Sequence, residues 1–345
     1  MAGKEFTIDF ILKDISEQIE KLNLVLTGEI QEPVIADVAA LKGLFDDYHN
    51  INPWFTSANI LFSVQFLYSG LNAGIQECYL KRYNGKDRKI AFVINPGAPF
   101  EGLGEILFTA LCGFGCIVRV PKESRTLYES LINYMAKAVE QLAQSIAFVD
   151  DRLPDFDGMV GINAFENETA SGYISRKPNL VLSFKGCTVT LTGKETNRQI
   201  DSIAQDVGRH FGRSYFSIKS LKVPEGYNFN PLFEALECFN QNADNHRYFN
   251  HYEYHKSIFL INGIPHLDNG FLLLTSDLSQ TGKTGVVTYW EDKVPEQITT
   301  SANHLSFRSD LNKEEQELGY IAGTTPPSAR LFYSSNALSS FLSGF

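Results

Sequence analysis

The sequence predicts an α/β fold with a mainly parallel sheet, and three observations carry that expectation. The runs "KIAFVIN" (89–95) and "CIVRV" (116–120) are continuously apolar, the pattern of strands buried on both faces. They end at Asn95-Pro96-Gly97 and at Pro121, residues that punctuate a strand. Between them "FEGLGEILFTALCGF" (100–114) has helical character and is closed by Gly113 and Gly115, so the three segments form one β-α-β unit.

The other elements follow in order. "IDFILKDISEQIEKLNLVL" places Ile8, Ile11, Leu12, Ile15, Ile19 and Leu22 at helical spacing. Pro53 and Trp54 make a stiff entry to a second apolar helix, with Thr56 or Ser57 as its N-cap. After the β-α-β unit, Leu127, Leu131, Met135, Val139 and Leu142 form an apolar stripe on a helix that starts at Ser124. Strands are expected at "IAFVD", "FDGMVGIN" (156–163), "NLVLSF" and "CTVTLTG". A domain change near Gly193–Lys194 separates a first domain, 1–193, from a second, 194–300. The second reads as helix 195–210, a turn, the strand "SIKSLKVP", helix 231–243, and strands "SIFLIN", "GFLLLTS" and "GVVTYWE". Residues 301–345 are expected to be an arm that returns to the first domain or makes an oligomer contact.

Composition excludes several classes of function. A net charge of −10 works against broad binding to nucleic acid or to an anionic membrane, which need a positive field. The local cluster Lys81, Arg82, Lys86, Arg88 and Lys89 reads as a solvated hairpin. No apolar run reaches the roughly 18 residues of a membrane span. The acidic residues of the first segment, without a small-residue cleavage site, do not suit a signal peptide. Five cysteines without a C-x-x-C pair suit reduced thiols of a cytoplasmic protein, in which the sequon Asn167-Glu168-Thr169 has no role.

Three strings together resemble one family. "NPWFT" (52–56), "VPEGYNF" (223–229) and "IPHLDNGFLLL" (264–274) are similar to bacterial long-chain acyl-CoA reductases, relatives of the fatty-acid reductase of luminous bacteria. The resemblance spans residues 50–292 and is densest over 190–291. It implies an aldehyde-dehydrogenase-like fold: a Rossmann-like parallel-sheet domain, a smaller α/β catalytic-type domain, and homo- or hetero-oligomers formed by sheet extension. The chemistry it implies is attack of a cysteine thiolate on an acyl thioester, hydride transfer from NADPH and release of an aldehyde. The stretch 95–124 is similar to one that runs from an oxyanion-hole asparagine to basic residues at an adenosine ribose. This implies Asn95 as oxyanion donor and Arg119 and Lys122 as cofactor-binding residues.

The sequence departs from the family at decisive positions. A nucleophile turn of the type F-G-x-G-C-R-N corresponds here to Phe211-Gly212-Arg213-Ser214-Tyr215-Phe216-Ser217. Tyr215 stands for the cysteine, Ser214 for the glycine and Phe216 for the arginine. A phenol, ionising near pH ~10, is a poor nucleophile at pH 7 and is much larger than a thiol. Ser214 as a nucleophile would have only His210, one helical turn away, as its base. A Gly-Ser step expected at the cofactor phosphates is replaced by Asn163-Ala164, followed by Phe165 and Glu166. A glycine-free loop keeps the backbone off a pyrophosphate, and an acid repels it. Thr190-Leu191-Thr192-Gly193 replaces a glutamate-bearing E-L-G-G motif, which a reductase does not need.

Other candidates stay open between two readings. Asp268 or His266 belongs near a nicotinamide ribose, or to a tight Asp-Asn-Gly turn between strands. Arg213 lies beside a phosphate of acyl-CoA or carrier, or is solvated. His246, His251 and His255 have a spacing that metal sites use, yet their aromatic surroundings argue for no metal. All five cysteines default to small buried hydrophobes, with Cys187 the choice for a relocated nucleophile because its strand leads into the site. The resulting expectation is an acyl-CoA-reductase-like protein that has lost the covalent chemistry. It would serve as an acyl-, carrier- or partner-binding subunit in fatty-acyl or polyketide-like metabolism, NADPH binding being retained or lost. The alternative is an active NADPH-dependent long-chain acyl-CoA reductase that produces a fatty aldehyde.

Overall fold

The computed structural model describes residues 8–28, 36–78, 85, 87–164, 177–292, 301–309, 312–320 and 335–345. Lys81, Arg82, Lys86, Phe165, Glu166 and the sequon at 167–169 lie outside the described residues. The chain divides into two compact units. One comprises Met1–Ser183, Phe307–Glu314 and Pro326–Phe345, the other Phe184–Ser306 and Glu315–Thr325.

In the first unit three helices precede the sheet: α1 (Ile8–Leu26), α2 (Ala36–Asp47) and α3 (Ser57–Cys78). Ile15, Ile19 and Leu22 of α1 lie on one face and are fully buried. Thr56 caps α3, its Oγ1 accepting from Asn59 N at 3.3 Å. The strands β1 (Lys89–Ile94), β2 (Gly115–Arg119), β3 (Ile146–Phe148), β4 (Gly158–Ile162) and the first residues of β5 (Asn179–Thr190) are all parallel. Their order is β3-β2-β1-β4-β5. The chain therefore starts in the middle, builds outward through α4 (Leu103–Leu111) and α5 (Lys122–Ala136), then returns to the other side of β1. Such a reversal opens a crevice at the carboxyl ends of β1 and β4. At the chain's end, α10 (Ser335–Leu342) buries Leu338 and Leu342, and the Phe341 and Phe345 rings cover Gly158.

In the second unit, Cys187–Thr190 of β5 pairs with β6 (Ile218–Val223), β6 with β9 (Val286–Glu291), and β9 with β8 (Leu273–Thr275), all parallel. The short β7 (His266–Asp268) is antiparallel to β8. Helices α7 (Asn197–Gly208), α8 (Asn230–Leu236) and α9 (His246–Asn262) flank these strands in sequence. A capping box starts α7: Thr196 Oγ1 accepts from Gln199 N, and Gln199 Oε1 accepts from Thr196 N. Asn245 caps α9, and Gly263 ends it at φ 62°. β10 (Ser301–Ser309) and β11 (Asn312–Tyr320) pair with each other.

Three sequence expectations are corrected. "SIFLIN" is the end of α9 and not a strand, because Tyr248, Tyr252, His255 and Phe259 are buried at helical spacing. "NLVLSF" and "CTVTLTG" are one strand, β5, which runs through Gly186. The stripe 127–142 is split between α5 and the short α6 (Glu140–Ser145), with α5 starting directly after Pro121.

Gly102, at φ 84°, allows the entry to α4 where a Cβ would stand 2.7 Å from Ile94 Cδ1. Gly102→Ala is expected to lower stability by about 1–3 kcal/mol. Urea unfolding checks it: the midpoint should fall with the slope unchanged.

Candidate functional site

In the first unit, the sequence-derived candidates gather at the carboxyl ends of three adjacent strands. Asn95 follows β1, Arg119 ends β2, Lys122 opens α5, and Ala164 lies two residues beyond β4. Asn95 N donates to Ile162 O at 3.0 Å, which holds the ends of β1 and β4 side by side. Arg119, Lys122 and Asn95 are exposed. A guanidinium and an ammonium at the end of β2 suit ribose hydroxyls or a 2′-phosphate, so that end fits a nicotinamide cofactor. The end of β4 fits less well, since Asn163, at φ 47°, and Ala164 both carry side chains where a pyrophosphate needs close backbone approach.

The loop after β1 contains a feature the sequence did not announce. Glu101 Oε2 accepts from Gly97 N at 2.7 Å and from Ala98 N at 2.9 Å. Tyr128 OH, buried beneath, donates to Glu101 O at 2.7 Å. Two backbone amides at the crevice are thus already bound to a carboxylate of the same loop.

In the second unit the turn after α7 is built from left-handed residues. His210, Phe211 and Gly212 have φ of 53°, 58° and 64°. Phe211 is buried against Tyr248, their rings 5.6 Å apart, and Lys219 Nζ donates to Gly212 O. Ser214 O accepts from Ser217 N at 3.0 Å, and Ser214 Oγ accepts from Phe216 N at 3.3 Å, so this serine organises the turn. Tyr215 is only 5% exposed. Burial, aided by Arg209, pulls the His210 pKa down to about 3. A base that weak does not activate the Ser214 hydroxyl at neutral pH.

Cys187 meets this turn from β5. Its Sγ donates to Phe216 O at 3.2 Å, its N donates to Ser217 O at 3.0 Å, and it is 1% exposed. The thiol is therefore adjacent to the turn but directed at a carbonyl. Cys238 is exposed and Cys112 half-buried, against the expectation that every cysteine is buried.

A carboxylate does stand at the turn 190–193, although sequence comparison finds none there. Glu195, just downstream, accepts from Thr192 N, from Thr192 Oγ1 at 3.0 Å, and from Gly193 N at 3.2 Å. Its oxygens are committed to that turn and to Tyr227 OH, which donates at 3.3 Å.

Asp268 lies in an Asp-Asn-Gly turn between β7 and β8, as the structural reading expected. Its Oδ1 accepts from Tyr252 OH at 2.7 Å and from Gly270 N at 2.8 Å, and its Oδ2 pairs with Lys256 Nζ at 2.8 Å. Burial raises its pKa, but hydrogen bonds from Lys256, Tyr252 and Gly270 outweigh that and leave it below the ordinary carboxylate value. No group of acids, histidines or cysteines able to hold a metal occurs among the described residues, and no described helix is long and apolar enough to cross a membrane.

Two predictions follow from these geometries. A carboxylate with a lowered folded pKa stabilises above its unfolded pKa of about 3.9, and that stability is lost as pH falls through the folded value. Asp268→Asn should therefore lower the thermal midpoint at pH 7, and the gap from the unaltered protein should close on acidification. A gap that persists below pH ~2 contradicts the pairing. Native-state alkylation read by mass spectrometry should modify Cys238 first and spare Cys187 and Cys116, the latter buried with its pKa raised by that burial.

No protein-family model matches the sequence, and no curated protein matches it at a significant level. Solved structures match it by shape. An indole-3-acetaldehyde dehydrogenase solved with NAD+ gives a TM-score of 0.53 at 11% identity, covering 82% of this chain and 72% of its own. An NAD-dependent aldehyde dehydrogenase from Sinorhizobium meliloti gives 0.53 at 12% identity, covering 83% and 70%. A methylmalonate-semialdehyde dehydrogenase from Oceanimonas doudoroffii gives 0.52 at 9% identity, covering 81% and 72%. Identities this low speak to architecture alone, and on that evidence the chain has the aldehyde-dehydrogenase fold.

Proposed function

We propose that this chain is an acyl-CoA-reductase-like protein that has lost the covalent reductase chemistry. It serves as an acyl-, carrier- or partner-binding subunit in fatty-acyl or polyketide-like metabolism, in a cytoplasmic homo- or hetero-oligomer. One observation carries the proposal: the residue that the resemblance sets at the nucleophile position is Tyr215, a phenol that is 5% exposed. The neighbouring groups agree with it. Ser214 Oγ is engaged with Phe216 N, and His210 is too weak a base to activate it.

The second reading is an active NADPH-dependent reductase of long-chain acyl-CoA. The exposed Arg119 and Lys122 at the end of β2 favour it, since they would hold the ribose and 2′-phosphate of the cofactor. When bound, that cofactor would supply the hydride. Asn95 would donate to the substrate oxyanion.

The test is a long-chain acyl-CoA titrated into the full chain with NADPH present. Acyl-CoA binding without aldehyde formation is expected, and steady turnover to aldehyde would overturn the proposal. The double substitution Ser214→Gly with Tyr215→Cys is expected to introduce a thiol that alkylating reagents modify. Turnover should stay below about 1% of an active reductase, because Asn163 and Ala164 still replace the loop that a cofactor pyrophosphate needs.

A further inference from the structure

The helix α9 presents Arg247, His251, Tyr254 and His255 at helical spacing on one face. With Lys283 from the segment before β9, they line a cavity of about 570 Å3. Thr284 is also in its wall, and Arg213 Nη1 donates to Thr284 Oγ1 at 3.4 Å, which brings a third permanent cation to the cavity. None of the described residues lining it is acidic. In a chain of net charge −10, an acid-free gathering of two arginines, a lysine and two histidines is not a sample of the average surface.

The cavity also has the marks of a built site. His255 is 8% exposed, and its Nδ1 is buried without a hydrogen-bond partner. Its ring stacks with that of His251 at 6.4 Å, two imidazoles held face to face. Burial lowers both histidine pKa values, and neighbouring cations lower them further: Arg213 for His251, Lys283 and His251 for His255. Asp277, which attracts Lys283, has its oxygens engaged by Ser279 and Gln280, and Lys283 Nζ donates to Gln280 Oε1. With their pKa values lowered the two imidazoles act at neutral pH as hydrogen-bonding groups, and beside Arg213, Arg247 and Lys283 they make a set that suits a multiply charged anion. At the rim, Tyr254 is 61% exposed, with its ring edge-on to His255 at 5.2 Å.

We propose that this cavity binds a nucleotide through two adjacent phosphate groups, with Arg213, Arg247, Lys283 and the two histidines on the phosphates and the Tyr254 ring stacked on the base. The proposal rests on the α9 cluster and is independent of the role of Tyr215. A free nucleoside diphosphate and the nucleotide end of coenzyme A share the chemistry.

The test is isothermal titration of the full chain with pyrophosphate, ADP and coenzyme A. It is run in an Arg119→Ala, Lys122→Ala background so that binding at the end of β2 is not counted. ADP should bind more tightly than pyrophosphate by about tenfold, the contribution of one stacked base. Tighter binding of coenzyme A than of ADP would identify the coenzyme as the source; equal binding would identify a free diphosphate; both support the site. Arg247→Ala and Lys283→Ala should each weaken ADP by tenfold or more. Tyr254→Ala should weaken ADP and leave pyrophosphate unchanged. Arg247 and Tyr254 are exposed, so unchanged circular dichroism is expected for those variants. ADP affinity that survives Arg247→Ala and Lys283→Ala, or absence of binding by all three compounds, overturns the proposal.

Discussion

The second unit depends on where α7 stops. Gly208 has no side chain because the Phe239 ring stands 2.4 Å from where a Cβ would lie. Buried Asn242 donates its Nδ2 to Gly208 O at 2.9 Å and satisfies one of the carbonyls the helix leaves open. Once the helix ends there, the chain must reverse toward β6 within a few residues. It does so through His210, Phe211 and Gly212 in left-handed conformation. Two of these are not glycine, and each costs about 1–3 kcal/mol. Burial of Phe211 against Tyr248 contributes roughly 1.5–3 kcal/mol in return.

The turn is therefore determined upstream of its apex, by aromatic packing and by backbone hydrogen bonds. Cys187 and Lys219 reinforce it from the strands, each bonded to a carbonyl of the turn. None of these supports needs a particular side chain at position 215. A turn held in this way keeps its course when its reactive residue is replaced, and a large ring such as Tyr215 becomes part of the packing. The first unit shows a comparable economy in the loop after β1. There Glu101 binds the amides of Gly97 and Ala98, so an incoming anion competes with a carboxylate already in position.

How much of this was legible in the sequence depends on distance along the chain. The strands β1, β2 and β4 announce themselves because burial on both faces leaves an unbroken apolar run. The Asp-Asn-Gly turn at 268–270 was legible for the same local reason, since its side chains bond their own backbone. "SIFLIN" misled because a short apolar run has no period of its own. Only Phe259 is buried at its centre, while Leu260 and Ile261 are exposed, which is a helical pattern. "NLVLSF" and "CTVTLTG" were expected as separate strands, and Gly186 lies between them. It sits inside β5 because a Cβ there would meet Lys219 Cγ at 2.2 Å. The partners of Asp268 and the wall formed by Lys283 come from other elements, and no local pattern announces them.

One helix, α9, then carries two sets of basic side chains with different surroundings. Lys256 is paired with Asp268 at 2.8 Å and bonded to Tyr252 OH at 3.1 Å, so its charge is met inside the fold. Arg247, His251 and His255 face a cavity with no acid among its described lining residues. The two sets lie on the same backbone and are subject to the same propensities, so helix formation does not account for the difference. A ligand that brings negative charge to Arg247 and Lys283 would do there what Asp268 does for Lys256.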